Sequence, residues 1–458
     1  MIERILRLVL VVFSAQLLGD AEFGKFTFAM AFTSLFMILA DGGVHQLIVR
    51  EIARAPERTR ELVANGLCIK TLLALGTAGL IYLCGTLTGK ADHVLLAVFI
   101  LGGQMIVGSF SDFFSCVLRG HQRMNYDVAA SLIFGVIVTG GGIAVLAMGY
   151  DFVMLAYMYL LANGVRLAYT FLIVRLKFCK VGLAFDWPLI KSLLKQGFPF
   201  GVLYFFALMY TYIDSTMLSL MVGDKEVGWY NAAYRLVFAM MFIPVASMKA
   251  VFPALALYYR ESNDQFKMLF ERSFKVMFVV GFSGATLLTL FAEPVVDLLF
   301  GAEYAPAAGA LKILVWAAAI IFIGTVQTHT TRASDRQGFT AKVVAGSAVL
   351  NLALNFILIP KYTLYGAAWA TLLTEFFVFA VHGVYLRKNL VSPPVLKLAP
   401  KIIIINLAVF LFAGAASDYD WFFVVPGAVL ICLAMLFLTK YFSPDEWRFL
   451  KGMLKPQV

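Results

Sequence analysis

Runs of roughly twenty apolar residues, repeated about fourteen times along 458 residues, leave this chain few ways to fold. Their centres lie near residues 10, 37, 73, 106, 137, 164, 209, 243, 281, 319, 349, 375, 406 and 430. A helix crossing roughly 30 Å of hydrocarbon needs about 20 such residues, and a backbone in lipid must satisfy its own hydrogen bonds. A transmembrane barrel would alternate polar and apolar residues in segments of about ten; runs such as 155–172 do not alternate. With 61% hydrophobic and only 14% charged residues, the expected fold is an all-α polytopic membrane protein of about 14 transmembrane helices.

The first run, Met1 to Leu18, carries Glu3, Arg4 and Arg7 near its start, as a secretory signal does, but no small-residue cleavage site precedes Gly19. It reads as a retained first helix, unless the native start lies upstream. Lys and Arg then set the topology. With the N-terminus inside, 28 of the 37 fall in cytoplasmic segments, five in the outer turns, and four (Lys70, Arg166, Arg235 and Lys249) within spans. The outer turns are acidic, with Asp20, Glu22, Asp92, Asp151, Asp224, Glu226 and Glu303. This is the positive-inside pattern, and it puts both termini in the cytoplasm. The net charge of +10 is therefore topological, calls for no nucleic-acid partner, and suits contact with anionic membrane lipids.

The stretch Leu17 to Phe26 returns as Met221 to Tyr230 at a constant offset of 204, with Gly19, Asp20, Glu22 and Gly24 matching Gly223, Asp224, Glu226 and Gly228. Each copy is a Gly-bounded acidic turn between apolar runs, so one hairpin opens each of two pseudo-repeated six-helix lobes. Arg119 to Arg123 and Arg332 to Arg336 echo each other at an offset of 213. The expected organisation is a first lobe over 1–177, an interfacial linker helix over 178–196, a second lobe over 197–390, and an extra two-helix hairpin with a cytoplasmic tail over 391–458. In the linker, Asp186 caps a helix beginning near Pro188, with Trp187, Ile190, Leu193 and Leu194 opposite Lys191 and Lys195. In the tail, Trp447, Leu450 and Leu454 share one side.

Enzyme chemistry finds little purchase. Cys68, Cys84, Cys116, Cys179 and Cys432 have no paired spacing, and His329 and His382 read as interfacial groups at inner helix ends. Gly85 to Lys90 has one residue too few for a phosphate loop and no hydroxyl after its lysine. Gly140-Gly141-Gly142 fits close helix packing. No cofactor or metal is expected.

Ionisable residues inside spans carry the functional signal, because each costs roughly 2.5–3.5 kcal/mol at the bilayer centre on insertion scales and so faces a cavity or a partner. Asp214 and Arg235 lie at similar depth in the seventh and eighth spans and are expected to face each other. Glu375 lies near mid-bilayer, Arg166 and Lys70 somewhat toward the cytoplasm, and Lys249, Asp112 and Asp41 nearer the inner ends, where the lysine can snorkel. The repeat does not preserve these charges: Asp214 corresponds to Leu10 and Arg235 to Ala31.

Leu18-Gly19-x-x-x-Phe23-Gly24, Leu39-Ala40-Asp41-Gly42-Gly43 and Val49-Arg50-Glu51-Ile52-Ala53 open the chain. Gly197-Phe198-Pro199-Phe200, Tyr212-Ile213-Asp214, Val227-Gly228-Trp229-Tyr230-Asn231-Ala232-Ala233-Tyr234-Arg235 and Phe252-Pro253 follow. As an ordered set over most of residues 1–390, these resemble the polysaccharide-biosynthesis flippases, the Wzx-type family of the multidrug/oligosaccharidyl-lipid/polysaccharide exporter superfamily. The resemblance implies a carrier moving a polyprenyl-pyrophosphate-linked oligosaccharide to the outer leaflet of a prokaryotic plasma membrane by alternating access, alongside polysaccharide polymerase and other assembly proteins.

Within that frame, Arg166, Lys70, Lys249 and Arg235 are candidates for the pyrophosphate. Asp214 and Glu375 are candidates for coupling to a proton or sodium ion, unless product consumption outside drives passive movement. Gly19, Gly24, Gly223 and Gly228 are structural turn positions. A multidrug exporter and a lipid II-type flippase are the alternatives of the same fold. A purely structural protein would not need charge in mid-bilayer, and an integral glycosyltransferase would need a large loop with clustered carboxylates, which the sequence lacks.

Overall fold

The computed structural model describes residues 2–416, 418–444 and 446, so the tail stripe of Trp447, Leu450 and Leu454 lies outside the described residues. All regular structure among them is helical. Eleven helices are long and apolar enough to cross a bilayer, with the bent pair Leu6–Leu35 and Met37–Arg54, at 43°, as a twelfth. Two of these twelve contain an extra pass each.

Helix α1 (Ile2–Leu35) breaks at Gly19, whose φ of 75° and ψ of 173° are outside the helical region. The chain reverses there: Phe26 packs on Tyr159 (ring centroids 5.6 Å apart), Tyr159 packs on Phe134 (6.1 Å), and the Arg7 guanidinium lies 5.9 Å from the Phe134 ring. An unbroken helix would hold residues 7 and 26 about 28 Å apart. Helix α14 (Gln337–Asn389) spans 53 residues and turns at Thr363 (φ 53°, ψ −129°), after Pro360. A Cβ placed on Gly366 would lie 2.3 Å from the Leu358 carbonyl oxygen, so the chain folds back tightly on itself. Counting both reversals, the spans number fourteen, as the apolar runs predict.

Contacts divide the chain into one unit of residues 1–232 with 348–367, and a second of 233–347 with 368–458. In the first, α1 is followed by α2 (Met37–Asp41) and α3 (Val44–Arg54), separated by Gly42 and Gly43 at φ 62° and 71°. Then come α4 (Thr59–Leu87), α5 (Asp92–Gly120), α6 (Met124–Ala147), α7 (Phe152–Lys177) and α8 (Trp187–Met221), and α9 (Asp224–Met240) begins. Asp151 caps α7 by accepting from the Met154 N–H, and Asp186 caps α8 by accepting from the Leu189 N–H at 3.2 Å, as the sequence predicts. The amphipathic stretch Trp187 to Gln196 is continuous with the α8 span. Its Ile190 and Leu193 are buried with Val44, Leu47, Ile48, Ile52 and Val174. Asp186→Ala removes one cap acceptor and is expected to cost about 1 kcal/mol; a thermal-unfolding comparison in detergent measures it, and an unchanged midpoint would show that the cap contributes nothing.

The two copies of the repeated turn cross each other. A Cβ on Gly24 would lie 1.7 Å from the Asp224 carbonyl oxygen, and one on Gly228 would lie 2.3 Å from that of Asp20. Only glycine at both positions lets the backbones meet. Ion pairs flank the crossing: Lys90 Nζ sits 2.7 Å from Asp224 Oδ1, and Lys225 Nζ 3.5 Å from Asp20 Oδ2.

The second unit holds α10 (Phe242–Glu261), α11 (Asn263–Leu290), the short α12 (Ala292–Phe300), α13 (Ala305–Ala333), the later part of α14, α15 (Val395–Ala415) and α16 (Trp421–Leu438). Phe270, Phe274, Phe278 and Phe282 stack at four-residue spacing along α11, with centroids 5.8, 6.0 and 4.6 Å apart. Leu398, Ile402, Ile405 and Val409 of α15, and Val424, Ala428, Cys432 and Leu436 of α16, are buried in the same core. The last hairpin is thus packed against α11, and Lys275 reaches Glu446 at 2.7 Å.

Candidate functional site

The first unit buries a network of charges on five elements. Helix α2 ends on Asp41, and the two left-handed glycines bring His45 of α3 back to it, His45 Nδ1 lying 2.8 Å from Asp41 Oδ1. Lys70 of α4 is 2% exposed; its Nζ donates to His45 Nε2 at 3.3 Å and lies 3.9 Å from Asp41 Oδ1. Asp112 of α5 is within electrostatic reach of Lys70 and accepts from Arg166 Nη2 of α7 at 2.7 Å. The Tyr204 hydroxyl of α8 is within reach of both carboxylates. Helix periodicity places these groups: Gln104, Gly108, Ser111 and Asp112 share the face of α5 that meets Asn163, Arg166 and Thr170 of α7. Asn163 donates to Gln104, the Ser111 and Thr170 hydroxyls are 3.3 Å apart, and Gly108 lets the Asn163 amide close.

Two cations and two carboxylates make the network neutral while His45 is neutral. A buried pair forfeits hydration and recovers it only through close geometry and further hydrogen bonds. Some donors remain available: Arg166 Nε is buried and makes no hydrogen bond among the described residues. A guanidinium offers five N–H donors in a planar fork matched to carboxylate or phosphate, so Arg166 can hold Asp112 and still meet a second oxyanion. Of the residues singled out from sequence, Lys70 and Arg166 are brought together here. His45 was not singled out; its four-residue spacing from Asp41 was the available signal.

Asp214 lies in a second buried cluster of the same unit. Its Oδ2 accepts from the Tyr230 hydroxyl at 2.8 Å and its Oδ1 from Asn355 Nδ2 at 2.6 Å, while Asn355 also donates to Asn351 Oδ1 at 3.1 Å. Beside it, Asn231 donates to Ser215 at 3.0 Å. Asp214 is 4% exposed and Asn355 fully buried; Asn355 Oδ1 and Asn351 Nδ2 make no hydrogen bond among the described residues. The remaining candidates lie in the second unit: Arg235 is half-buried, Glu375 buried and Lys249 exposed. There, His382 is 1% exposed and packs against Phe339, with ring centroids 5.6 Å apart.

Fourteen helical passes among the described residues, with paired charges inside them, define a polytopic membrane protein. The chain belongs to the polysaccharide biosynthesis protein family, whose model matches residues 1–258; the MatE family model matches 199–357. Among its relatives is a probable low-salt glycan biosynthesis flippase of Haloferax volcanii, 23% identical over 82% of this chain and 79% of that one. Another is a "Putative O-antigen transporter" of Shigella flexneri, 22% identical over 78% and 87%. The fold matches a lipid II flippase in an inward closed conformation (TM-score 0.77, 15% identity, 95% and 96% covered). It also matches an inward-facing multidrug resistance transporter of the MATE family (TM-score 0.71, 15% identity, 84% and 94% covered).

Proposed function

We propose that this protein is a flippase that carries a polyprenyl-pyrophosphate-linked oligosaccharide across a prokaryotic plasma membrane, from the face bearing its basic helix ends, the cytoplasm, to the other. Both termini lie on the cytoplasmic side. The buried Lys70 and the half-buried Arg166 carry this reading: bringing a pyrophosphate and hydroxyl-rich sugars bare into hydrocarbon would cost tens of kcal/mol, and charge-assisted hydrogen bonds inside a span offset that cost. In the resting network Asp112 and Asp41 keep both cations in place. An arriving pyrophosphate competes with these carboxylates, and the spare donors of Arg166 give it a first foothold. Lys249, exposed on α10, and Arg235, half-buried on α9, belong to the second unit and are pyrophosphate candidates on the ground of their place in apolar runs alone. The relatives, named for glycan biosynthesis and O-antigen transport, support the same class of cargo. Partners would then include the enzymes that polymerise and assemble the delivered glycan.

Asp214 or Glu375 would bind the coupling ion. Asp214 has the stronger local case, because its buried carboxylate sits among the polar groups Tyr230, Asn351 and Asn355, with Asn355 Nδ2 donating to both Asp214 Oδ1 and Asn351 Oδ1, and a carboxylate so placed can take up a cation or a proton. The test is Asp214→Asn in proteoliposomes with an imposed pH or sodium gradient. Gradient-driven movement should fall at least tenfold while exchange without a gradient persists; unchanged gradient dependence would remove Asp214 from the coupling role.

A drug-exporter reading draws support from the MatE match over residues 199–357. It predicts that cationic dyes, not pyrophosphate lipids, are moved, because the cargo would then pair with Asp41 and Asp112.

A further inference from the structure

His45 supplies the network's imidazole, the side-chain type used as a proton switch, and its two nitrogens face different partners. Nδ1 lies 2.8 Å from Asp41 Oδ1 and Nε2 lies 3.3 Å from Lys70 Nζ. An ammonium has three donors and no acceptor. With Lys70 as the donor, Nε2 is the unprotonated nitrogen and the proton sits on Nδ1, which lies 2.8 Å from Asp41 Oδ1 without the alignment of a hydrogen bond. The groups against this imidazole are Asp41 from α2, Lys70 from α4 and Phe113 from α5 (ring centroids 6.3 Å apart); one step further out, Asp112 and Cys116 act on Lys70, Arg166 pairs with Asp112, and Tyr204 is within electrostatic reach of Asp41 and Asp112.

Resting on the flippase reading above, we propose that His45 is a proton-operated positioning residue: protonation of its Nε2 releases Lys70 to the anionic group of the substrate. The geometry supplies the steps. A proton taken up on Nε2 turns an acceptor into a donor, so the Lys70 ammonium loses its hydrogen bond and faces a second positive charge at the same distance. The Asp41 carboxylate, 2.8 Å from Nδ1, favours the imidazolium by its charge. The network passes from neutral to one net positive charge, and the released ammonium is free to turn toward an anion held by Arg166. Deprotonation reverses each step and returns Lys70 to the imidazole.

Linkage makes the effect reciprocal: if a proton strengthens anion binding, a bound anion strengthens proton binding by the same factor. The sign has a mechanistic consequence. Affinity for the anion is high when His45 carries the second proton and falls when that proton leaves. A proton that rides with an exported anion adds to the work of transport instead of driving it. His45 therefore sets affinity, and the driving ion acts elsewhere, at Asp214 or Glu375.

The test uses the full-length protein in lipid nanodiscs and a polyprenyl pyrophosphoryl monosaccharide, a diester whose own charge is constant between about pH 5.5 and 8. Wild-type affinity should fall about tenfold from pH 6 to pH 8, and in weak buffer near pH 7 binding should take up a fraction of a proton. His45→Gln, which can accept from Lys70 but takes no proton, should bind weakly with a flat pH profile. His45→Lys, a fixed cation, should bind tightly with a flat profile, which a purely structural histidine would not predict. Binding without proton uptake in the wild type, or an unchanged slope in a folded His45→Gln, overturns the proposal and leaves the substrate reading intact. No binding of the wild type at any pH overturns both.

Discussion

Replacing Lys70 and Arg166 together by Gln abolishes movement of a pyrophosphate-linked lipid, with a loss of at least a hundredfold. Two charge-assisted hydrogen bonds are worth about 1.5–3 kcal/mol each, so removing both costs roughly 3–6 kcal/mol of binding, or about two to four decades of affinity. The loss is sharpened by what remains. Asp112 and Asp41, which now accept from or lie against those cations at 2.7 and 3.9 Å, would be left as buried carboxylates facing an anionic cargo. Removing one partner of a buried pair also destabilises the fold strongly, so the experiment includes the neutralised set in which Asp41 and Asp112 become Asn as well. That set restores the charge balance and not the anion site. Transport lost in both, with folding recovered in the neutralised set, assigns the cations to binding. Full transport by the double variant would sink the assignment. Arg166→Lys should show a partial loss, because an ammonium keeps the charge but not the fork.

Gly24→Ala is expected to produce the largest structural effect of any single methyl group in the chain. The added carbon would lie 1.7 Å from the Asp224 carbonyl oxygen, a backbone atom that cannot rotate away, so the crossing of the two repeated turns must open. Overpacking of this kind costs about 3 kcal/mol, and the neighbouring pairs, Lys90 with Asp224 and Lys225 with Asp20, would be pulled apart with it. Gly228→Ala should behave similarly. Gly76→Ala, which meets nothing within 4 Å, is the control. Thermal unfolding in detergent reads all three; a Gly24→Ala protein as stable as the control would show that the turns do not meet as described.

The count of passes was legible because length and apolarity dictate it, even where the helices run together. Gly19 and the Pro360 to Gly366 segment mark the two reversals inside what would otherwise be single long helices. The repeat at an offset of 204 showed that two turns are alike. It could not show that they touch, because nothing in one copy encodes the position of the other. The same limit applies to the charges. Lys70 and Arg166 stand out by being ionisable within apolar runs, whereas their partners lie in other helices and are chosen by packing. Two local signals are present in the sequence: Asp41 and His45 bracket Gly42-Gly43, where a glycine break turns one short helix back on the next, and Asn351 and Asn355 lie four residues apart inside an apolar run, on one helical face. The packing of His382 against Phe339 is likewise a contact chosen by the fold and not written in the residues around His382.

The most direct measurement places a fluorescent polyprenyl pyrophosphoryl oligosaccharide in one leaflet of proteoliposomes and follows its arrival in the other with an impermeant quencher, beside an uncharged lipid-linked sugar and a cationic dye. A carrier built around Lys70 and Arg166 moves the pyrophosphate-linked sugar and discriminates against the other two. Movement of the dye with no movement of the pyrophosphate lipid, by a folded protein, would contradict the account and assign the same fold to a different cargo.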